Sequence, residues 1–271
     1  MQISVLSDGK LEALKTSDEF NAPQIGDALD NMHVNMARGL PSMKVAPERE
    51  GETLVICAGG HSLADCFDDL KDNMSDDRKI FAVNDTHDWL VEKGIVPWGF
   101  AMMEIAPWEK EFISFPQKQT QYFLSSLSHP TAFDRLKDYD ITVWHPWSGI
   151  GEETIIQETD PGAPIVHGAE AVSIRALNLG YVLGFRKFEM YGVDGSYKDG
   201  QSSHIYFDRK QPMMNVWHDG KSFRTAYYLV RQADDLRRVM ENHHKEFDLK
   251  VHGDGLVRHV HESMFPEIYQ H

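Results

Sequence analysis

The segment YGVDGSYKDGQSSH, Tyr191 to His204, concentrates groups that can move a proton or hold a metal. Asp194 follows an apolar run, and the polar loop after it carries Tyr197, Asp199, Ser202, Ser203 and His204. An aspartate at the end of a buried strand, followed by a loop ending in histidine, suits acid–base work or metal binding. A histidine with a near-neutral pKa can take a proton from a hydroxyl once a partner fixes its tautomer. The plainer alternative is a hydrogen-bonded turn aspartate and an exposed loop histidine. Just upstream, HGAEAVS places Gly168 in a turn and Ser173 near the start of a helix.

A second concentration of chemistry lies in LVICAGGHSLADCF, Leu54 to Phe67. Gly59 and Gly60 follow an apolar run, where missing side chains let the chain turn sharply and let a phosphate approach the amides. His61 stands beside them, and Ser62 can cap the following helix while offering its hydroxyl to the same ligand. The stretch has neither the full GxGxxG spacing nor the lysine of a P-loop, so a tight structural turn is the competing reading. In FAVNDTHDWL, Asn84 and Asp85 again follow an apolar run. Asn84 offers a donor and an acceptor to a base or sugar; Asp85 either joins it or caps the next helix. Glu104 ends GFAMMEIAP in the same way. Carboxylates so placed must be solvated, paired or metal-bound, which makes Glu104 and Asp194 the metal candidates.

These residues need elements that bring them to one place. Apolar runs predict strands at Thr53–Ala58, Lys79–Val83, Gly99–Met103, Gln121–Leu124, Ile141–Trp144 and Lys187–Tyr191. Helical patterns predict Ser62–Asn73, Thr86–Lys93, Thr131–Asp138 and Ala169–Leu183 between them. Such alternation means an α/β, Rossmann-like fold: a mainly parallel sheet with helices on both faces. The first strand is expected to be central, with Gly60, Asn84, Glu104 and Asp194 at one sheet edge around a common cleft. Residues 1–50 read as an N-terminal helical arm. Residues 51–271 read as a single α/β domain, the one to which the resemblance below assigns nucleotide binding, that includes one long C-terminal helix, Ser222 to Glu246, and a last short strand in FDLKVHGDGL.

Charge limits the partners. With 27 basic against 42 acidic residues the net charge is −15, which repels phosphate backbones and anionic membrane surfaces. Nucleic acid is therefore not an expected partner, although amides at a helix start can hold a small anion without basic side chains. No apolar run approaches the roughly 18–20 residues that span a bilayer, and the opening MQISVLSDGKLEALK lacks the features of a signal peptide. The expectation is a cytoplasmic protein. Cys57 and Cys66 read as two small buried thiols in a reducing compartment. His259 and His261 alternate as they would on one face of a strand, and Trp144 to Trp147 reads as packing.

Taken in order, ICAGGHSL (Ile56 to Leu63), Asn84, GIVPWGFAMME ending at Glu104, the Gly192, Asp194, Tyr197, Gly200, His204 block, and GDGL (Gly253 to Leu256) carry a family pattern. They resemble the MptE-like Rossmann family, which includes archaeal 6-hydroxymethylpterin diphosphokinases and the central domain of Maf flagellin-glycosylation proteins. That domain is in turn similar to bacterial sialyltransferases that use CMP-sialic acid. The resemblance runs from about Glu52 to Val257. It departs from the pattern at Ala58, His61, Trp98 and Glu104, substitutions that bear on which nucleotide is preferred and on whether activity persists.

The resemblance implies a nucleotide-dependent transferase acting on a small-molecule or glycan acceptor. Its leading form is glycosyl transfer from a nucleotide sugar to a hydroxyl, with His204 and Asp194 as catalytic residues. Gly59, Gly60, His61, Ser62, Asn84, Asp85, Glu104, Gly168, Ser173 and Gly192 would hold the nucleotide. One alternative is a diphosphokinase acting on a small heterocyclic alcohol with ATP, its Mg²⁺ near Asp194 and Glu104. The other is a non-catalytic nucleotide-binding or assembly module.

Overall fold

Strands apolar on both faces need cover on both, and the chain supplies it. The computed structural model describes residues 4–7, 10–13, 22–107, 112–169, 171–198 and 213–270. The parallel strands are β3 (Thr53–Cys57), β4 (Arg78–Val83), β5 (Gly99–Met102), β6 (Gln121–Ser125), β7 (Asp140–Pro146), β8 (Ile165–Val166), β9 (Lys187–Tyr191) and β12 (Asp248–Val251). They form one sheet in the order β12-β9-β3-β4-β5-β6-β7-β8, with every neighbouring pair parallel. The expected parallel sheet is present, and β3 lies inside it between β9 and β4.

Alternate residues of β3 enter different cores. Leu54 and Ile56 join a cluster with Ile174, Leu177, Val230, Leu236 and Val257, from helices α7 (Val172–Val182), α8 (Tyr227–His243) and α9 (Leu256–Met264). Val55 and Cys57 join Leu63, Leu70, Leu90 and Phe133 on the other face, from α2 (Ser62–Asp65), α3 (Phe67–Asp72), α4 (Thr86–Glu92) and α5 (Pro130–Arg135). Each fully buried side chain of this size contributes roughly 1.5–3 kcal/mol. The N-terminal segment is helical over α1 (Ala22–Met36), whose Ala28 and Met32 pack with Leu127 and with Ile156 of α6 (Glu152–Thr159). The same segment carries two short strands, β1 (Ser4–Ser7) and β2 (Lys10–Ala13).

Three readings of the sequence need correction. The helix expected from Ser222 begins only at Tyr227, because Lys221–Ala226 is a strand, β11, paired antiparallel with β10 (Met213–His218). Asp219 (φ +45°) and Gly220 (φ +80°) make the two-residue turn between them, the left-handed pair that an Asp-Gly hairpin turn requires. His259 and His261 lie on α9 rather than a strand. They diverge: His259 Nε2 lies 3.0 Å from the His218 carbonyl oxygen, and His261 Nδ1 lies 2.7 Å from Tyr269 Oη. The helix expected over Ser62–Asn73 is divided at Cys66 into α2 and α3. Both cysteines are free; Cys57 is buried as expected, whereas Cys66, at the break between α2 and α3, is only partly buried.

Candidate functional site

β3 and β9 are neighbours in space, yet the strands running outward from β4 to β8 separate them in sequence. The chain therefore reverses its direction of travel across the sheet between them, and open α/β sheets bind ligands outside the carboxyl ends of strands at such a switch point. Main-chain pairing continues past both strand ends: Ala58 N–H donates to Tyr191 O at 2.9 Å and Gly60 N–H to Gly192 O at 2.8 Å. The approach leaves no room for side chains. A Cβ on Gly192 (φ +69°) would lie 1.9 Å from the Ala58 carbonyl oxygen, and one on Gly60 would lie 2.5 Å from Asp194 Oδ2. Backbone packing thus explains Gly60 and Gly192 before any ligand is considered.

Asp194 follows directly from that crossing. Its Oδ2 accepts the Ser62 N–H at 3.0 Å, at the start of α2, while Ser62 Oγ accepts the Gly192 N–H at 3.0 Å. Asp194 Oδ1 is buried with no hydrogen-bond partner among the described residues. Burial pushes the Asp194 carboxyl above its ordinary value of 3.8; hydrogen bonds from Ser62 oppose that rise and the Asp254 charge adds to it. Main-chain contacts from the GDGL segment close the back of the site. Gly253 lies so near Ser62 that a Cβ there would be 2.4 Å from the serine Cβ, and Val257 N–H donates to Asp194 O at 3.0 Å.

A cleft of about 270 Å³ opens from this crossing. Gly59, Gly60, Asn84, Asp85, Glu104, Ser173, Gly192 and Asp194 all line it, so the four residues expected at one sheet edge do meet there. Asn84 adopts a left-handed conformation (φ +52°) and donates from Nδ2 to Glu104 Oε1 at 3.2 Å, leaving its buried Oδ1 without a partner among the described residues. Asp85 stands before α4 with helical dihedrals and makes no side-chain cap bond. Ser173, in the first turn of α7, accepts a hydrogen bond from Gln232 Nε2 at 3.0 Å. Tyr228 and Gln232 of α8, with Phe112, complete the walls. Those three escaped the sequence reading, which had no means of bringing α8 to the sheet edge.

Other candidates fall elsewhere. His61 and Ser62 line a second cavity of about 380 Å³ beyond the glycine turn, and Asp194 lines both cavities. Gly168 is exposed and left-handed (φ +124°), beside Asn178 rather than in the cleft lining. His204, together with Asp199, Gly200, Ser202 and Ser203, lies outside the described residues. Among the described residues no three histidines, cysteines or carboxylates come together as a metal site. No helix among them is long and apolar enough to cross a membrane. The cleft itself is lined by carboxylates, amides and apolar groups, with no lysine, arginine or histidine among its described residues.

Residues 27–200 match the model of a family described as 6-hydroxymethylpterin diphosphokinase MptE-like. No curated protein matches the chain by sequence. Among solved structures, the Maf glycosyltransferase from Magnetospirillum magneticum AMB-1 superimposes with a TM-score of 0.62 at 17% identity. The alignment covers 88% of this chain and 38% of that one, so this chain spans well under half the length of that enzyme. A mammalian sialyltransferase in complex with Gal-beta-1-3GalNAc-ortho-nitrophenol aligns over 94% of this chain and 91% of its own, with a TM-score of 0.46 and 9% identity. At these identities the likeness concerns the fold.

Proposed function

The chain belongs to the MptE-like family, and from that premise we propose that it transfers a glycosyl group from a nucleotide sugar to a hydroxyl acceptor. The observation that carries this reading is a switch-point cleft built of amides and carboxylates, with no cationic side chain among its described residues. Such a cleft suits a single phosphate held on backbone N–H groups. Its volume of about 270 Å³ is near the lower end of the roughly 300–1,000 Å³ of small-molecule sites.

In the reaction, the acceptor oxygen forms a bond to the anomeric carbon. The bond from that carbon to the phosphate oxygen breaks, and its electron pair leaves on the nucleotide. The acceptor proton passes to a base. Asp194 is the base we assign, because it lines both cavities and burial raises its affinity for a proton. His204, outside the described residues, is the second candidate and is measured alongside it as His204→Ala.

A second reading follows from the family description itself, which names a diphosphokinase. Asp194 and Glu104 line one cleft and would be the residues to hold Mg²⁺, which is commonly bound through one or two carboxylates plus substrate phosphates. When bound, the ion would supply the positive charge that the described side chains of the cleft lack.

Phosphorus NMR of the reaction mixture separates the two. A nucleotide sugar offered in EDTA with a panel of hydroxyl acceptors should release free nucleotide and form a new glycoside. Release of AMP from ATP, only with Mg²⁺ and a heterocyclic alcohol, would replace this reading with the second.

A further inference from the structure

The proposed function places the nucleotide in the first cleft; the second cavity, which takes His61 and Ser62 from the expected nucleotide set, shares Asp194 with that cleft. It also holds what the cleft lacks. Lys198, Lys221 and Arg224 all line it, in a chain of net charge −15. Lys198 is committed to Asp65 at 2.7 Å. Lys221 donates to a main-chain oxygen, that of Asp254, at 3.4 Å and lies 4.9 Å from the centre of the Phe223 ring. Arg224 gives its Nε–H to Met213 Sδ at 3.0 Å. Among the described residues no carboxylate forms an ion pair with Lys221 or Arg224. The carboxylate of Asp254, also in the lining, is exposed.

We propose that this cavity is the acceptor subsite and that the acceptor carries an oxyanion, a carboxylate or a phosphate, held by Lys221 and Arg224. The proposal rests on the transferase reading above and names the acceptor's chemical class. It also accounts for the position of Asp194. A hydroxyl bound in the second cavity would meet the donor across the one carboxylate that both cavities share. The two cations stand on β11, which hangs from the Asp219-Gly220 turn rather than from the parallel sheet. Guanidinium and ammonium groups both bind such anions, arginine through a planar fork and lysine as a point charge.

The test uses the full chain with inorganic phosphate and, separately, acetate, each titrated at fixed ionic strength against chloride. Protection of Lys221 from acylation is followed by peptide mass spectrometry, with and without saturating CMP. The proposal predicts protection at millimolar phosphate or acetate, undiminished by CMP and weakened at least tenfold in Arg224→Gln. The better of the two anions identifies the acceptor group as phosphoryl or carboxyl. Thermal stabilisation by the same anion should be lost in Lys221→Gln, an exposed substitution. Protection no greater than in chloride, protection unchanged by Arg224→Gln, or displacement of the anion by CMP overturns the subsite. Protection in a protein that binds no nucleotide retires the transferase reading and leaves the anion site standing.

Discussion

Asp194 is the residue at which packing and chemistry meet. Its carboxylate holds the Ser62 N–H, and its main-chain oxygen holds the Val257 N–H. Asp194→Asn keeps the shape and removes the proton acceptor. Steady-state kinetics should show turnover lowered by about 10²–10⁴-fold, with nucleotide affinity changed only a few-fold. Because burial raises the folded-state pKa above 3.8, the wild-type carboxyl loses stability as pH rises and it must ionise. Asp194→Asn is therefore expected to be at least as stable as wild type at pH 8, with the difference closing below about pH 4. A wild-type rate in the variant, or a large loss of stability at pH 8, would remove Asp194 from its assigned role. Gly59, Gly60, Asn84, Glu104 and Asp194 were legible in the sequence because each follows an apolar run. What the sequence could not distinguish was a glycine left bare for a ligand from one left bare for its neighbour; Gly60 turns out to face Gly192 and Asp194 at close range.

At the scale of elements, α4 ties down a wall of the cleft. His87 is fully buried, with Nδ1 2.9 Å from Asp88 Oδ1 and Nε2 3.2 Å from Tyr122 Oη. Asp88 in turn accepts the N–H groups of Ser114 and Phe115, just beyond Phe112. Burial works against its charge, but hydrogen bonds from His87, Ser114 and Phe115 win and hold its pKa below 3.8. Asp88→Asn should speed amide hydrogen exchange at residues 112–117 and weaken nucleotide binding, without changing turnover at saturation. Unchanged exchange there would show that the anchor is idle. In α9, His261 is buried with its Nδ1 2.7 Å from Tyr269 Oη, and Tyr269 Oη accepts the Val251 N–H at 3.0 Å. Burial, with the Arg258 charge, presses the His261 pKa from 6.5 to about 4. The sign follows: its contribution is present above pH 6.5 and is lost as pH falls toward 4, up to about 3 kcal/mol. Urea denaturation across that window should show the loss in wild type and a flatter profile in His261→Gln; parallel profiles would contradict it. Helix and strand periodicity revealed most of the central sheet, whereas the β10–β11 hairpin was missed. Its evidence was an Asp-Gly pair inside a stretch whose charges also suit a helix, so Tyr228 and Gln232 could not be placed at the cleft.

For the whole molecule, one arrangement governs the rest: the parallel sheet reverses between β3 and β9, and the cleft opens there. A net charge of −15 keeps polyanions at a distance, and under the proposed function the cleft, which has no cationic side chain among its described residues, would hold phosphate through amides or through a metal. Isothermal titration in EDTA with CMP and UMP, set against ATP with and without Mg²⁺, decides between the two. The account predicts metal-free binding of a nucleoside monophosphate, with no requirement for Mg²⁺. Binding of ATP alone, and only when Mg²⁺ is present, would contradict it.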